Sequence, residues 1–362
     1  MVNAVAVLRH NRDPTRTAAG NIIIKNDCEA IEKIHTMKHV SILIPQGHTS
    51  VVNIEGSHQI MNEVNTLRLK QGKAPLFKVE LVGISTHASQ RGLFTITPDV
   101  LIDEVKKTDL IMIPAIHGKA EQVMNNNAAF VPWIRHQYEQ GAEIATFCIA
   151  SFFLAGTGLL NGKQCATHWT AANDFKALFP EVNLVDDKIM TEDSGIYTSG
   201  GAYSFLNLLV YIIEKYAGRD MAIVIAKEFM IDIDRISQSP FIIFQGQKAH
   251  DDEPIKKAQE FIENNFEEKI SVDQLASMFA LGRRNMERRF KKATSNTVVE
   301  YIQRVKIEVA KKNLESGRKN VNEVMYDVGY NDPKAFRTTF KKITGLSPLE
   351  YRSKYNKEAI AV

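Results

Sequence analysis

Cysteine and long apolar runs are scarce in this sequence. Its 362 residues contain three cysteines, Cys28, Cys148 and Cys165, and their spacing forms neither a CxxC pair nor a Cys/His metal motif. No apolar run approaches the length of a membrane span, and the N-terminus lacks a signal-peptide core. These absences exclude a disulfide framework, and they predict a cytoplasmic protein in a reducing compartment, without a metal, a cofactor or a membrane contact.

A repeat near the C-terminus is the clearest pattern. Two pairs of blocks match: 271–276 (SVDQLA) with 320–325 (NVNEVM), and 290–294 (FKKAT) with 340–344 (FKKIT). Each copy begins with a capping-box pattern, in which Ser271 or Asn320 precedes a Gln or Glu by three residues. Two short helices separated by a turn follow in each copy. The repeat therefore predicts an all-α domain with two helix-turn-helix units.

The second helix of each copy has an apolar face and a basic face. Met286 and Phe290 lie one helical turn apart, and Phe336 and Phe340 repeat them. The outward positions are mostly basic: Arg284, Glu287, Arg288, Lys291 and Lys292 in the first copy, and Lys334, Arg337, Thr338, Lys341 and Lys342 in the second. A basic helix face suits the phosphate-lined groove of double-stranded DNA.

Positive charge is concentrated at the same end of the chain. Residues 281–362 contain 19 Lys and Arg against 9 Asp and Glu, whereas the whole chain carries a net charge of only +3. A single Lys/Arg-rich helix is usually just a solvated surface. Two such helices, each after a capped helix and a turn, and joined by a helix predicted over 297–314, indicate DNA binding instead.

Residues 327–352 (DVGYNDPKAFRTTFKKITGLSPLEYR) closely match the signature of the AraC/XylS family of transcription regulators, which the C-terminal domain resembles. The resemblance implies that the two units place their second helices in successive major-groove segments, about one helical turn (~34 Å) apart. Mapped by position, the base-contact candidates are Arg284, Glu287, Arg288, Lys334, Arg337 and Thr338. The phosphate candidates are Lys291, Lys292, Lys341 and Lys342.

The first copy departs from the family pattern at two positions. Ser295 stands where Gly is usual, and Val298 stands where Pro is usual, whereas the second copy keeps Gly345 and Pro348. These changes are expected to alter a helix junction in the first copy without abolishing the fold.

Upstream of the repeat, apolar strands alternate with helices. Strands are predicted at 39–45, 77–83, 109–114 and 143–147, and helices at 57–69, 127–140 and 203–216. Continuous Val/Ile/Leu strands between helices are typical of a parallel sheet covered on both faces. The expected fold is a flavodoxin-like α/β domain with a mostly parallel sheet.

One corner of this domain is tight. The strand 143–147 runs into a helix that begins at Cys148 without a proper loop, which is a nucleophile-elbow pattern. The helix dipole there can favour the thiolate. His168 follows 20 residues later, so Cys148 and His168 are the candidate catalytic residues.

The segments around this corner resemble the ThiJ/PfpI group of class I glutamine-amidotransferase-like domains, in the form fused to AraC-type domains in GlxA-like regulators. The matching segments are 145–163, 166–169, 196–202 and 238–241. Enzymes of this fold combine the Cys with a His and often with an acid after the first strand, the region where Glu55 lies. The resemblance implies a ligand pocket formed by Cys148, Ile149, His168, Ile116 and Glu55.

Two departures argue against turnover. Ile149 and Ala150 replace the small Thr-Gly pair expected after the elbow, and residues 114–118 (PAIHG) replace a Gly-Gly turn that helps to build an oxyanion hole. We therefore expect a catalytically inactive amidotransferase-like domain in which Cys148 contacts an effector. The alternatives are an amidase-like or glyoxalase-like enzyme tethered to DNA, a redox-sensing Cys148, and a cysteine that serves packing alone.

The predicted organisation has four parts: an N-terminal extension (1–37), a sensor and dimerisation domain (38–236), a linker (237–253) and a DNA-binding domain (254–362). Met37 is one candidate for the natural start of the chain. The predicted function is sequence-specific regulation of transcription in response to an unknown small-molecule effector. The expected partners are promoter or operator DNA and a second copy of the chain, with RNA polymerase as a further candidate.

Overall fold

The structure is a computed structural model that describes residues 37–86, 89–91 and 94–356. Cys28 and nearly all of the predicted N-terminal extension lie outside the described residues. Within the described ranges, no helix combines the length and the apolar character needed to cross a membrane.

The N-terminal half is built on one large sheet. The strands are β1 (Lys38–Leu43), β2 (His48–Thr49), β3 (Phe77–Gly83), β4 (Ser89–Arg91), β5 (Phe94–Ile96), β6 (Val100–Leu101), β7 (Leu110–Ile113), β8 (Ile116–His117), β9 (Glu143–Thr146), β10 (Gln164–Cys165), β11 (Asn183–Leu184), β12 (Met190–Asp193) and β13 (Ile196–Ser199). Seven of them form a sheet in the order β12-β13-β9-β7-β1-β3-β6. Its neighbouring strands are parallel except for the antiparallel pair β12 and β13. The mostly parallel sheet predicted from the sequence is confirmed.

Helices cover both faces of this sheet. They are α1 (Val51–Lys70), α2 (Ala120–Asn126), α3 (Phe130–Glu139), α4 (Ala150–Gly156), α5 (Ala172–Leu178), α6 (Phe205–Ala217) and α7 (Arg219–Glu228). Apolar side chains of α1, α6 and α7 form the core on one face, and those of α3, α4 and α5 form the core on the other. The central strand β7 is buried at every position, because a strand covered on both faces has no solvent-facing side.

The C-terminal half is helical. Its helices are α8 (Glu253–Asn264), α9 (Val272–Met278), α10 (Arg283–Thr294), α11 (Val298–Ser316), α12 (Val321–Asp327), α13 (Pro333–Thr344) and α14 (Pro348–Tyr355). The pairs α9–α10 and α12–α13 are the two predicted helix-turn-helix units, and α11 is the predicted joining helix. The all-α domain with two such units is confirmed.

Two hydrophobic cores share α11. Its first half, with Tyr301 and Val305, packs into the core that contains Phe290. Its second half, with Ala310 and Leu314, packs into the core that contains Phe340. Because one helix contributes to both cores, the two units are held at a fixed spacing.

The capping patterns predicted from the sequence are largely present. Asn320 forms the complete box, in which it caps the Glu323 N–H and the Glu323 side chain returns a bond to its backbone. Ser271 accepts the Gln274 N–H at 3.1 Å, but among the described contacts the Gln274 side chain returns no bond. The first copy therefore has half of the predicted box.

The expectation that Ser295 alters a helix junction is wrong. Ser295 adopts the left-handed conformation with φ +58°, and Gly345 does the same with φ +75°. The hydroxyl of Thr294 donates to Phe290 O and accepts the Asn296 N–H, and Thr344 repeats both bonds in the second copy. The two junctions have the same backbone conformation, because Ser295 adopts a left-handed conformation that is strained for serine and unstrained for glycine.

Candidate nucleic-acid interface and effector site

The second helices of the two units, α10 and α13, present the same exposure pattern. Met286 and Phe290 are fully buried on α10, and Phe336 and Phe340 are buried at the corresponding positions of α13. The ten side chains predicted to contact DNA are all exposed: Arg284, Glu287, Arg288, Lys291, Lys292, Lys334, Arg337, Thr338, Lys341 and Lys342. The structure therefore places them together on the outward faces of two equivalent helices.

Most of the cations on these faces have no carboxylate partner. Within the described part of the chain, no ion pair involves Arg284, Lys291, Lys334, Arg337 or Lys341. The Arg288 guanidinium donates to the Asn285 side chain at 3.0 Å. Unpaired cations on a convex helix face can pair with phosphates or guanine edges without first breaking an internal bond.

Glu287 differs from its neighbours. Its carboxylate lies 3.4 Å from the guanidinium of Arg283, which also pairs with Asp273 at 2.8 Å. Both pairs are exposed to solvent, so their contribution to stability is small. Glu287 can therefore leave Arg283 at little cost in stability.

Arg289 is a structural residue that the sequence did not reveal. Its guanidinium makes two bonds to the Asp252 carboxylate, at 2.9 and 2.6 Å, and so ties α10 to the N-terminus of α8. The hydrogen bond from Arg289 lowers the pKa of Asp252 below its usual value. Asp252 directly precedes α8 in the sequence, but no sequence pattern indicates that Arg289 is its partner.

The Cys148 corner has the elbow geometry. Cys148 follows β9 and adopts φ +57°, a left-handed conformation that is rare for a residue other than glycine. Its N–H donates to Ser199 O at 3.1 Å, and its carbonyl oxygen accepts the Thr167 hydroxyl at 3.4 Å and lies 3.1 Å from the Ser151 hydroxyl oxygen. The bonds on both sides hold the corner in its strained shape.

The Cys148 thiol is protonated near neutral pH. The side chain is buried, and burial raises its pKa to about 11 despite the backbone bond from Ile149. Burial likewise raises the pKa of Cys165 to about 12. Burial therefore opposes the thiolate that the helix N-terminus was expected to favour.

His168 lies near the imidazole of His117, and among the described contacts it forms no hydrogen bond with Cys148. Its Nδ1 faces the Thr170 hydroxyl at 2.7 Å. Its pKa is lowered, first by burial and then by the charge of His117. His117 in turn has its ring centroid 5.0 Å from that of His48, and burial and His48 lower its pKa too. No sequence pattern identified His48 and His117 as site residues, because it is the pairing of the short strands β2 and β8 that brings them together.

The remaining predicted pocket residues are placed less uniformly. Ile116 is buried in β8, and Ile149 is half-buried directly after Cys148. Glu55 is exposed on α1 and makes no hydrogen bond or ion pair with Cys148 or His168, all three being described residues. The structure therefore does not join Glu55 to a Cys–His pair.

One backbone donor of the turn at 114–118 is already used inside the protein. The Ala115 N–H donates to the Asn53 side chain at 3.1 Å, and its carbonyl accepts the Ser50 N–H at 2.9 Å. Asn53 is itself buried. A backbone donor that is already used inside the protein is not free to stabilise a developing oxyanion.

Comparisons with known proteins agree with both halves of the structure. A helix-turn-helix domain model matches residues 275–354, and the DJ-1/PfpI family model matches residues 67–215. The HTH-type transcriptional regulator GbdR of Pseudomonas aeruginosa is 25% identical over 260 residues, which cover 71% of this chain and 69% of that protein. The HTH-type transcriptional regulator GlxA of Rhizobium meliloti is 22% identical over 216 residues, which cover 59% and 66%.

Among solved structures, Drosophila melanogaster DJ-1beta is similar to this chain. It has 20% sequence identity and a TM-score of 0.46, and the match covers 54% of this chain and 100% of that chain.

Proposed function

We propose how this chain, a DNA-binding transcriptional regulator that joins an AraC-type helix-turn-helix domain to a DJ-1/PfpI domain, recognises its DNA sites. In the proposed complex, α10 and α13 lie in successive segments of the major groove. Base edges are read by Arg284, Glu287, Arg288, Lys334, Arg337 and Thr338, and phosphates are contacted by Lys291, Lys292, Lys341 and Lys342.

One observation carries this assignment of residues. The two helices repeat the same order of buried and exposed positions, and within the described chain their exposed cations lack carboxylate partners except at Arg283. A solvated surface would need neither the repeat nor the absence of partners. Two DNA-recognition helices, α10 and α13, called the first and second reader below, need both if they are held on the one rigid helix α11.

The test uses the duplex that the wild-type protein enriches from a random-sequence pool, called the enriched duplex below. The double variant Arg288→Ala plus Arg337→Ala is expected to bind it at least about thirtyfold more weakly, since each bidentate base contact contributes about 1–3 kcal/mol of discrimination. Its binding to unrelated DNA should keep a strong salt dependence, because the phosphate contacts remain.

A matched control separates base reading from loss of charge. Lys70→Ala plus Lys227→Ala also removes two exposed cations, but from the α/β domain. This control should bind the enriched duplex like the wild type. If the two double variants lose affinity equally, the assignment of the reading residues is wrong.

The second part of the proposal concerns the α/β domain. A small-molecule effector would bind near Cys148, Ile149, His168 and Ile116, where the strained corner and the histidine group provide a mixed apolar and hydrogen-bonding surface. It would act by binding one arrangement of the domains more tightly than another. Glu55 would contribute only after a rearrangement of its exposed side chain.

A homodimer would place two pairs of readers on paired DNA sites. Sedimentation of the protein with duplexes that hold one or two copies of the enriched site tests this: two chains should load together on the paired duplex. Loading of one chain at a time, at independent affinities, would rule out the dimer.

Contact with RNA polymerase would then link occupancy of the DNA site to transcription, and pull-down of purified polymerase on the occupied duplex tests it.

We further propose that the α/β domain does not turn over a substrate. The protonated thiol and the occupied Ala115 N–H support this. Hydrolysis of small amides and conversion of glyoxals should stay at the background rate in the wild type and be unchanged in Cys148→Ser. Turnover that disappears in Cys148→Ser would instead establish an enzyme.

A further inference from the structure

Residues 237–247, called the interdomain strap below, are anchored at one end on the α/β domain. Gln238 is 2% exposed. Its Nε2 donates to the carbonyls of Asp186, Thr167 and Lys188, at 2.8, 3.0 and 3.1 Å, and its N–H donates to Asp187 O at 2.8 Å. The start of the predicted linker is therefore a docked segment.

Thr167 connects this anchor to the Cys148 corner. The Thr167 carbonyl accepts from Gln238, while its hydroxyl donates to Cys148 O at 3.4 Å and accepts the Ser151 hydroxyl at 2.8 Å. Thr167 is fully buried and directly precedes His168. A displacement of the corner therefore moves a group bonded to the strap.

The middle of the strap lies against the junction that ends α13. Pro240 O accepts the Tyr355 hydroxyl at 3.2 Å. Gly345, the left-handed residue at the end of α13, lies so near that an added Cβ would be 3.8 Å from the Ser239 Cβ. This end of the second reader thus rests on the strap.

The far end of the strap is held by α11 and by the first reader. The Lys311 ammonium donates to Ile242 O at 2.6 Å, and the Glu308 carboxylate accepts the Phe244 N–H at 3.0 Å. The Asn296 side chain, just after α10, donates to the Gln247 side chain at 3.1 Å. The strap therefore touches the corresponding junctions of both readers.

Two features indicate that the anchor has a role beyond packing. The Gln238 Oε1 is buried and accepts no bond from the described residues, and an unsatisfied buried acceptor costs stability. A cleft of about 330 Å³ lies beside the strap, and its lining includes Trp169, Asn173, Ile242, Gln247, Asn296 and Lys342.

We propose that the interdomain strap transmits the state of the Cys148 corner to both recognition helices, and that Gln238 is the positioning residue at its sensor end. The path runs from Cys148 through Thr167 and Gln238 to Pro240 and Tyr355. This proposal rests on the proposed function, since the property that the strap would change is sequence-specific DNA binding. The corner has one discrete strained shape, so an effector that changes it biases which placement of the strap, and of the readers, is favoured.

A double-mutant cycle on the full chain tests the path, with affinity for the enriched duplex as the readout. Thr167→Val removes the hydroxyl bonds to the corner, and Gln238→Met removes the anchoring amide at nearly constant volume. Thr167→Val is expected to change the dissociation constant by about fivefold or more in the wild-type background, and by less than about twofold when Gln238→Met is present.

Thr108→Val is the matched control, because Thr108 is an equally buried hydroxyl, bonded to Ser41 and to His39 O, on the same domain but away from the strap. It should leave the dissociation constant unchanged. If the Thr167 and Gln238 effects multiply independently, or if Thr108→Val has the same effect as Thr167→Val, the path is refuted.

A gentler variant keeps the proposal testable should Gln238→Met fail to fold. Tyr355→Phe removes only the hydroxyl bond to Pro240 O, and it should reduce the effect of Thr167→Val while the melting temperature stays close to that of the wild type. An undiminished effect of Thr167→Val in the Tyr355→Phe background would overturn the path. Failure of the wild type to enrich any duplex would instead overturn the proposed function itself.

Discussion

The paired junctions after α10 and α13 allow a sharp prediction about stability. Ser295 and Gly345 occupy the same position in the two copies and both have a left-handed backbone, with φ +58° and φ +75°. This conformation costs an ordinary residue about 1 kcal/mol and costs glycine almost nothing. Ser295→Gly is therefore expected to raise the free energy of unfolding of the C-terminal domain by about 1 kcal/mol, and Gly345→Ser is expected to lower it by about the same amount.

The structure supports treating the backbone as the main cause. Ser295 is exposed, so its replacement removes no buried contact. A Cβ added at Gly345 would meet its nearest neighbours, Ser239 and Pro240, at 3.8 and 3.9 Å, which is ordinary van der Waals contact. The hydrogen bonds of Thr294 and Thr344 involve backbone groups that both variants keep.

Urea unfolding followed by far-UV circular dichroism measures the effect. Trp169 lines the cleft beside the strap, so the internal control is the fluorescence of Trp133 alone, measured in a Trp169→Phe background, and it should not shift. Opposite shifts of the circular-dichroism midpoint for the two variants would support the reasoning. Shifts of the same sign, or a stabilising Gly345→Ser, would refute the claim that conformational strain separates the two junctions.

Further predictions concern single groups. Arg289→Leu should lower the melting temperature of the C-terminal domain, because it leaves Asp252 without its two-bond partner. Because the pKa of Asp252 is depressed in the folded state, its ionised carboxylate stabilises the wild type above the usual aspartate pKa, and that contribution is lost as the pH falls through the folded-state pKa. In the acid range, the melting temperature should therefore fall more steeply with decreasing pH for the wild type than for Arg289→Leu. Identical slopes would contradict this. Iodoacetamide should modify Cys148 slowly at neutral pH and about tenfold faster for each pH unit up to its pKa near 11; rapid modification at pH 7, detected by mass spectrometry, would show that burial does not control this thiol. Lys291→Ala and Lys341→Ala should each reduce the salt slope of DNA binding by about one contact while sparing sequence preference; altered preference at a single base position would reassign that lysine to base reading.

Local patterns predicted much of the fold. The repeat at 271–276 and 320–325 and the alternation of Met286 and Phe290 with basic residues are short-range signals, and helix geometry converts them directly into faces. The strand order could not be predicted from these patterns, because strand pairing depends on contacts between residues that are distant in the chain. The Cys148 corner was predicted for the same short-range reason as the helices.

The electrostatics of the corner depended on three-dimensional context. The expected thiolate relied on a helix terminus that is visible in the sequence, whereas the burial that raises the pKa of Cys148 comes from the surrounding fold. The Arg289–Asp252 pair joins residues 37 positions apart. The contact of Gln238 with Thr167 spans 71 positions. No spacing rule predicts partners at such separations.

The shared helix α11 also sets a rotational phase between the two readers. Each residue of an α-helix adds about 100° of rotation and about 1.5 Å of rise. One residue inserted near Lys306, where the buried side chains pass from the first core to the second, would turn α13 by more than a quarter of a revolution relative to α10. The two basic faces would then no longer meet the same side of a duplex. Insertions and deletions in α11 would thus abolish paired recognition, whereas the reading residues can be substituted one at a time without changing this geometry.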